Sequence, residues 1–232
     1  NETLEFNHGG FIHGDWRRHR ATAGTHVLEK CCHDIDLANQ FVASRAMRVA
    51  SFAGLDIFRP EHRHHVERIG PNPKNGRAAF EGWGRPQIEP FTDDQDIADN
   101  QVVILEYANG VRATFHTNAV AGIPERRLYL LGDEGTIRAD VMCGLIEYRR
   151  IGWDTETISV EPLAQGGHGG GDAVMAEELA AAMLHDAPVT TSLRDGLESA
   201  VTCFAIDEAV DTGQVVSLES MWQRCDAPDN PA

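Results

Sequence analysis

Three side chains able to transfer or orient a proton stand at helical spacing in the segment 29–36. Glu29, His33 and Asp36 occupy positions i, i+4 and i+7, so a helical chain would project them from one side. A helix start disfavours a charged imidazole and a nearby carboxylate favours it, which leaves a histidine titrating near neutrality. Such a histidine suits general acid–base catalysis. The same spacing is also typical of a hydrogen-bonded surface histidine, so spacing alone leaves both interpretations open.

Two glycine-containing motifs could suggest other chemistry, and neither is complete. The tract at 165–171 fails the G-x-G-x-x-G pattern in each register, because the required glycines fall on His168 or Asp172. The segment His8-Gly9-Gly10-Phe11 is similar to a hydrolase oxyanion loop, but the sequence contains no Gly-x-Ser-x-Gly motif. We therefore predict no cofactor-binding residue in this chain, and interpret the tract as a flexible approach to a helix cap.

A group of three histidines, His62, His64 and His65, could share a metal ion. No carboxylate or thiol stands nearby at the spacing of a standard site. Three arginines in the same segment would repel a cation: Arg59, Arg63 and Arg68. We predict no metal site and a solvated, partly basic segment, with a metal-dependent lyase or hydrolase as the weaker alternative.

Composition excludes several classes of function. The 232 residues carry a formal net charge of −16, whereas a nucleic-acid surface needs clustered Lys and Arg. The same charge disfavours an anionic membrane surface, and no apolar run is long enough to span a bilayer. The five cysteines are odd in number and irregular in spacing, unlike a disulfide framework or paired zinc ligands. These features predict a reduced, cytoplasmic protein.

The elements around the segment 29–36 are predicted from apolar periodicity. Residues 59–100 lack such periodicity, and so long an irregular stretch is typical of a functional or flexible insertion, which we place at about 56–100. The other N-terminal elements are a strand at 1–12, a polar loop at 13–25, a helix within 26–46 and a strand at 47–58.

The second half predicts a sheet followed by helices. Asn109-Gly110 between two apolar runs indicates a β-hairpin. Strands are predicted at 102–107, 111–115, 126–131, 136–139, 145–150, 155–160 and 215–218, and helices after a cap at Asp172 and after a capping box that begins at Ser192. Short turns favour antiparallel pairing. The fold class is therefore α+β: an open, mostly antiparallel β-sheet with helices packed on one face.

In their order along the chain, these motifs resemble the C-terminal domain of the Gfo/Idh/MocA oxidoreductases. The family signature is an acidic residue, a histidine four positions later and a second acidic residue three positions after that, matched by Glu29, His33 and Asp36. The resemblance covers nearly the whole chain outside roughly 56–95. Further family-like features are Trp16-Arg17, Asp99, the run 107–111, the run 132–137, the run 169–172 and Asp195-Gly196.

The resemblance implies a single substrate-binding and oligomerisation domain over residues 1–232, with the N-terminal Rossmann domain absent from this chain. It implies oxidation of a hydroxyl of a sugar, inositol or related polyol, with NAD or NADP held mainly by the absent domain. His33 would be the general acid/base and Glu29 its catalytic partner, although family members often have Asp there. Arg17 and Asp36 would bind substrate, Asp36 mainly as an anchor of the motif.

Three further expectations follow from the resemblance and from the residues themselves. The catalytic lysine of the family belongs to its N-terminal domain, so Lys30 is not its equivalent. The first residue is Asn1, inside a strand-like run, which indicates a truncated start. An open sheet face needs cover, which predicts a homo-oligomer through the strands at 102–139. The alternative to a dehydrogenase is a non-catalytic binding or scaffold module of the same fold.

Overall fold

The structure is a computed structural model that describes residues 1–82, 89–161 and 167–227. The chain forms two compact units. The larger unit contains residues 2–124 and 195–232, and the smaller unit contains Asn1 and residues 125–194. The assignment of residues 1–232 to a single domain stays a prediction.

Helices lie between the first strands of the chain, whereas most later strands follow one another before the long C-terminal helices. The strands are β1 (Glu2–Glu5), β2 (Ala46–Gly54), β3 (Asn100–Tyr107), β4 (Arg112–Ala121), β5 (Glu125–Leu131), β6 (Gly135–Asp140), β7 (Leu145–Arg150), β8 (Ile158–Ser159) and β9 (Val216–Ser217). The helices are α1 (Phe6–His13), α2 (Arg20–Ala23), α3 (His26–Glu29), α4 (Cys32–Val42), α5 (His64–Ile69), α6 (Gly171–His185), α7 (Leu193–Thr212) and α8 (Glu219–Asp226). Short 3₁₀ helices occur at Trp16–Arg18, Pro60–His62 and Gly167–Gly170.

The larger unit is built on five strands in the order β1-β4-β3-β2-β9. The pair β1–β4 is parallel, and the other pairs are antiparallel. The predicted hairpin between β3 and β4 is confirmed. Gly110 takes the left-handed φ of 84° that its turn requires, and the Asn109 side chain accepts from the Val111 N–H.

Alternation along β2 and β3 separates a buried face from an open one. Val49, Val103 and Leu105 point into a core that also contains Val201 and Ile206 of α7. Tyr107, Ile35 of α4 and Trp222 of α8 complete this core. The intervening strand residues lie on the opposite face and are exposed: Phe52, Val102 and Ile104. The prediction of an α+β fold, with a mostly antiparallel open sheet and helices, is therefore confirmed.

One stripe of α7 holds the segment that leads into α4. Ser199, Cys203, Asp207 and Asp211 are four residues apart and therefore share one face of the helix. Their partners run antiparallel to α7: the Cys32 carbonyl with Ser199 Oγ (2.6 Å), the Val27 carbonyl with Cys203 Sγ (3.6 Å), Thr25 Oγ1 with Asp207 Oδ2 (2.7 Å), and the Arg20 guanidinium with both Asp211 oxygens (2.8 Å each).

The described residues of the predicted insertion at 56–100, which are 56–82 and 89–100, are largely irregular but pack their own aromatic cluster. Phe58, Phe80 and Phe91 are buried and approach one another with ring centroids 5.0–5.9 Å apart. Buried Asp99 fixes the start of the segment, because its carboxylate accepts backbone N–H groups from residues 56–58. Charge-assisted bonds of this kind are among the stronger ones in proteins.

The smaller unit contains an antiparallel meander of β5, β6, β7 and β8. The predicted strand at 155–160 is shorter than expected, since β8 is limited to Ile158–Ser159, with one further backbone bond from the Val160 N–H to the Ile146 carbonyl of β7. The predicted helix α6 is present, with the stripe Met175, Leu179 and Met183 exposed. Gly170, not Asp172, is its N-cap. Asp172 lies in the first turn and accepts from His168 Nδ1 at 2.8 Å.

Two other N-terminal predictions are wrong. The strand expected at 1–12 ends at Glu5, because the Glu5 carboxylate caps a helix by accepting the N–H groups of Asn7 and His8. Gly9 and Gly10 belong to that helix, where any side chain would collide with the carbonyl groups of Ala119 and Phe80. The expected loop at 13–25 contains a 3₁₀ turn and α2.

At the C-terminal end the predicted strand at 215–218 narrows to β9, and α8 follows it without a clear sequence signal. Residues 165, 166 and 83–88, which fall within the glycine tract and the insertion, lie outside the described residues. None of the helices in the described part of the chain combines the length and apolar character that crossing a bilayer requires.

Asp207 gives a test of this packing. Burial raises its pKa to about 6, against the Thr25 bond and the charge of Arg20, which lower it. A native pKa above the unfolded value of about 3.9 means that stability is lost as pH rises through 6. Asp207→Asn, which keeps the acceptor for Thr25, should raise the free energy of unfolding at about pH 7.5 by up to roughly 2 kcal/mol, and much less at about pH 4.5.

Urea denaturation at both pH values measures this difference. Asp211→Asn is the matched control, because the hydrogen bond from Arg20 lowers the pKa of Asp211 and removing that charge should not stabilise the protein at neutral pH. Equal destabilisation by both substitutions at about pH 7.5 would contradict the cost assigned to the buried Asp207 carboxylate.

Candidate active site

The segment with the predicted catalytic residues contains two helices, α3 and α4, rather than one. Thr25 caps α3, because its hydroxyl accepts the Leu28 N–H at 3.3 Å. The chain leaves the helix at Lys30 and Cys31 and re-enters it at Cys32. Glu29 and His33 therefore belong to different helices, and the single helical face expected from their spacing is not formed.

Lys30 lies at this break and has a structural partner. Its Nζ contacts Glu2 Oε1 at 2.7 Å, and the Glu2 side chain is almost fully buried on β1. Breaking a buried ion pair leaves an uncompensated charge, which is strongly destabilising. The pair therefore ties the break between α3 and α4 to the sheet. That Lys30 is not the equivalent of the family's catalytic lysine stays a prediction.

Arg17 and Glu29 meet at the surface of the larger unit. Arg17 Nε donates to Glu29 Oε1 at 2.9 Å, and its Nη1 donates to Asp15 Oδ2 at 3.2 Å. The guanidinium carbon lies 4.5 Å from the ring centre of Phe11 and 4.6 Å from that of Trp16. Two ion pairs and two cation–π contacts hold this side chain in one orientation.

His33 is exposed in the first turn of α4. Its Nδ1 lies 3.2 Å from Cys32 Sγ. Burial raises the pKa of the Cys32 thiol, as does the nearby charge of Glu29. The charge of Glu29 therefore reaches the residue next to His33, although no direct hydrogen bond joins Glu29 to His33 among the described residues.

Asp36 lies one turn further along α4. Its Oδ2 accepts from Gln40 Nε2 at 2.9 Å. Partial burial and then the nearby charge of Asp195 raise the pKa of Asp36, whereas the Gln40 bond and the charge of His33 lower it. The Asp36 carboxylate thus interacts electrostatically with His33.

Two buried histidines, one at the end of α1 and one at the start of α3, were not predicted. His26 is fully buried, with Nε2 3.1 Å from Thr117 Oγ1, and burial lowers its pKa to about 3. His13 bonds Gln95 Oε1 through Nδ1 at 2.7 Å and stacks on Phe58, and burial lowers its pKa to about 4. Both rings are neutral parts of the core. Their partners are distant in sequence, so local periodicity gave no signal for them.

The histidines at 62–65 form a surface cluster in and before α5. The rings of His62 and His65 stack with centroids 5.8 Å apart, and the His64 ring lies 4.2 Å from that of His65. Within residues 1–82, 89–161 and 167–227, no group of three His, Cys, Asp or Glu side chains has the geometry to hold a metal ion.

Comparison with known proteins shows which family this chain resembles. The model of the Gfo/Idh/MocA oxidoreductase family, C-terminal α/β domain, matches residues 5–218. The protein YteT of Bacillus subtilis (strain 168), which carries the name of an oxidoreductase, is 22% identical over 221 residues, covering 76% of this chain and 51% of YteT. The resemblance seen in the sequence is thereby confirmed.

Solved structures share the fold. Levoglucosan dehydrogenase in complex with NADH and L-sorbose has a TM-score of 0.70 at 16% identity, over 94% of this chain and 56% of that one. UDP-N-acetylglucosamine 3-dehydrogenase GnnA from Acidithiobacillus ferrooxidans has a TM-score of 0.60 at 13% identity, over 91% of this chain and 52% of GnnA. The chain spans about half the length of these relatives.

A double-mutant cycle tests whether the Arg17–Glu29 pair is a fixed element of the site. The side chains are only 21% and 26% exposed, so Arg17→Gln and Glu29→Gln should couple by about 1 kcal/mol or more in urea denaturation. The control is the more exposed pair Arg48–Glu106, for which we expect less than about 0.5 kcal/mol. Coupling no larger than that of the control would mean that the pair does not hold Arg17 in place.

Proposed function

We propose that this chain, which belongs to the C-terminal α/β domain of the Gfo/Idh/MocA oxidoreductase family, is the substrate-binding part of an NAD(P)-dependent dehydrogenase. Its substrate would be a hydroxyl of a sugar, inositol or related polyol. The family match supports the oxidoreductase class, and the named sugars in the levoglucosan dehydrogenase complexes support the substrate class. The cytoplasmic location expected from the cysteines stays a prediction.

One observation carries the assignment of the acid/base. His33 is an exposed histidine at the start of α4, in the family's acidic–His–acidic signature, with the fixed pair Arg17–Glu29 on the preceding segment. During oxidation, His33 would accept the proton of the substrate hydroxyl, while a hydride leaves the carbon that bears this hydroxyl. During reduction it would return that proton to the oxygen.

The neighbouring charges would position the substrate. Arg17 is held by Glu29 and Asp15, so its guanidinium presents donors in a fixed direction. Glu29 would bind a neighbouring hydroxyl through its other oxygen, or act on His33 through its charge. Asp36 would anchor the motif, since its carboxylate is bonded to Gln40 within α4.

The nicotinamide cofactor would accept the hydride, and it would be held by residues other than those described. A dinucleotide diphosphate needs a helix N-terminus with free N–H groups and no opposing charge. The glycine tract before α6 does not fit, because Asp172 stands in the first turn of that helix. We therefore assign no cofactor contact to this chain. The choice between NAD and NADP would be made by the N-terminal Rossmann domain that the resemblance implies.

Substitution of His33 tests the catalytic assignment. In the intact enzyme, His33→Ala should lower kcat by about 10²–10⁴-fold, because a positioned acid/base group typically contributes that much. Steady-state kinetics with a sugar and NAD(P) measures the loss. The control is His185→Ala, an exposed histidine at the end of α6, which should leave kcat unchanged.

The competing function is a binding or scaffold module of the same fold. It predicts that His33→Ala leaves turnover unchanged, or that the intact protein has no turnover with any polyol. Either result would favour the module. The present chain alone should show no dehydrogenase activity, and tight, saturable NAD(P) binding by it in calorimetry would argue against a cofactor held elsewhere.

We also propose that the open face of the sheet in the larger unit is a homo-oligomer interface. Val102 and Ile104 are 49% and 58% exposed, and they pair across the strands with Phe52 and Ala50. An exposed apolar face of this kind marks an association surface. Ile104→Glu should therefore produce a monomer in sedimentation velocity, whereas Val215→Glu, an exposed valine just before β9, should not. A monomeric unsubstituted protein would refute the interface.

A further inference from the structure

Trp16 is a large aromatic side chain that the fold holds at the surface of the larger unit. It is 48% exposed, although tryptophan is usually well buried. Its backbone is fixed on both sides: Asp15 caps the 3₁₀ turn by accepting the Trp16 N–H, and the Trp16 carbonyl accepts from Thr22 Oγ1 at 2.7 Å. The exposure is therefore a property of an ordered segment rather than of a loose one.

The ring also has a fixed partner on one side. The Arg17 guanidinium carbon lies 4.6 Å from its centre, and that guanidinium is itself restrained by Phe11, Glu29 and Asp15. A cation over an aromatic ring restricts the orientation of both groups. A ring that is ordered before a ligand arrives loses little conformational entropy on binding, which favours affinity.

The guanidinium of Arg17 lies beside this ring and bonds a carboxylate that is suited to hydroxyls. Glu29 uses Oε1 for Arg17, and an ionised carboxylate has about four acceptor sites. Arg17 adds N–H donors beside the indole. Small-molecule sites combine an aromatic or apolar surface with a few placed polar groups. A sugar ring has the complementary shape: C–H groups on its faces and hydroxyls on its rim.

We propose that Trp16 is a substrate-stacking residue, on which the C–H face of a sugar ring lies while its hydroxyls bond Glu29 and Arg17. This inference rests on the proposed function, because it requires a sugar-type substrate at the site of His33. Glu29 links the two places, since it bonds Arg17 and ends α3 four residues before His33, which lies in the first turn of α4. Trp16 sets affinity and substrate shape, and takes no part in proton transfer.

The experiment is steady-state kinetics of the intact enzyme with levoglucosan and L-sorbose as sugar probes. Trp16→Ala should raise KM for the accepted sugar by about 3- to 10-fold, the loss expected for one aromatic contact, with kcat changed far less. Trp16→Phe should restore most of the affinity. Trp153→Ala, a 99% exposed tryptophan in the smaller unit, is the control and should change neither parameter.

A second measurement distinguishes a loss of sugar binding from misfolding of the variant. Quenching of tryptophan fluorescence by the sugar should be present in the unsubstituted enzyme and in Trp153→Phe, and lost in Trp16→Phe. An unchanged sugar KM in folded Trp16→Ala, or a changed KM for the nicotinamide cofactor alone, would overturn the proposal. Failure of the proposed function is separate, because it would appear as full turnover in His33→Ala.

Discussion

The arrangement of the site depends on one contact line, the stripe of α7 formed by Ser199, Cys203, Asp207 and Asp211. Each of these side chains bonds one point of the chain between Arg20 and Cys32, so four successive turns of α7 fix the path of that segment. The stripe lies beside the apolar residues with which α7 packs on β2 and β3. Burial supplies most of the stability, and the polar stripe selects which of many possible registers is adopted.

These contacts with α7 fix the backbone and leave the side chains of two candidate residues, His33 and Trp16, exposed. The Cys32 carbonyl is held by buried Ser199, so the first turn of α4, with His33, has a defined position although the imidazole itself faces solvent. Arg17 and Trp16 are ordered differently, through mutual stacking and the carboxylates of Asp15 and Glu29. Rigid backbone with accessible side chains is the usual arrangement of a site that receives a ligand.

The same packing has an electrostatic cost. Asp207 is held in the α7 stripe with its pKa raised by burial, and His26 is kept neutral beneath the segment. Neutral groups and hydrogen-bonded carboxylates are the forms that a partly apolar interior tolerates. We therefore expect the stability of this packing to depend on pH through Asp207, a group that takes no part in the proposed proton transfer.

Four features could be predicted from the sequence, because they depend on local periodicity, turn residues and spacing: the fold class, the β3–β4 hairpin, the α4 segment and the family-like order of motifs. Tertiary structure decided the rest. Glu5 turned an expected strand into α1, and a break at Lys30 put Glu29 and His33 on different helices. The partners of His13, His26 and Asp207 lie 82, 91 and 182 residues away. Local patterns carry no information about such contacts, since only the packed chain brings those residues together.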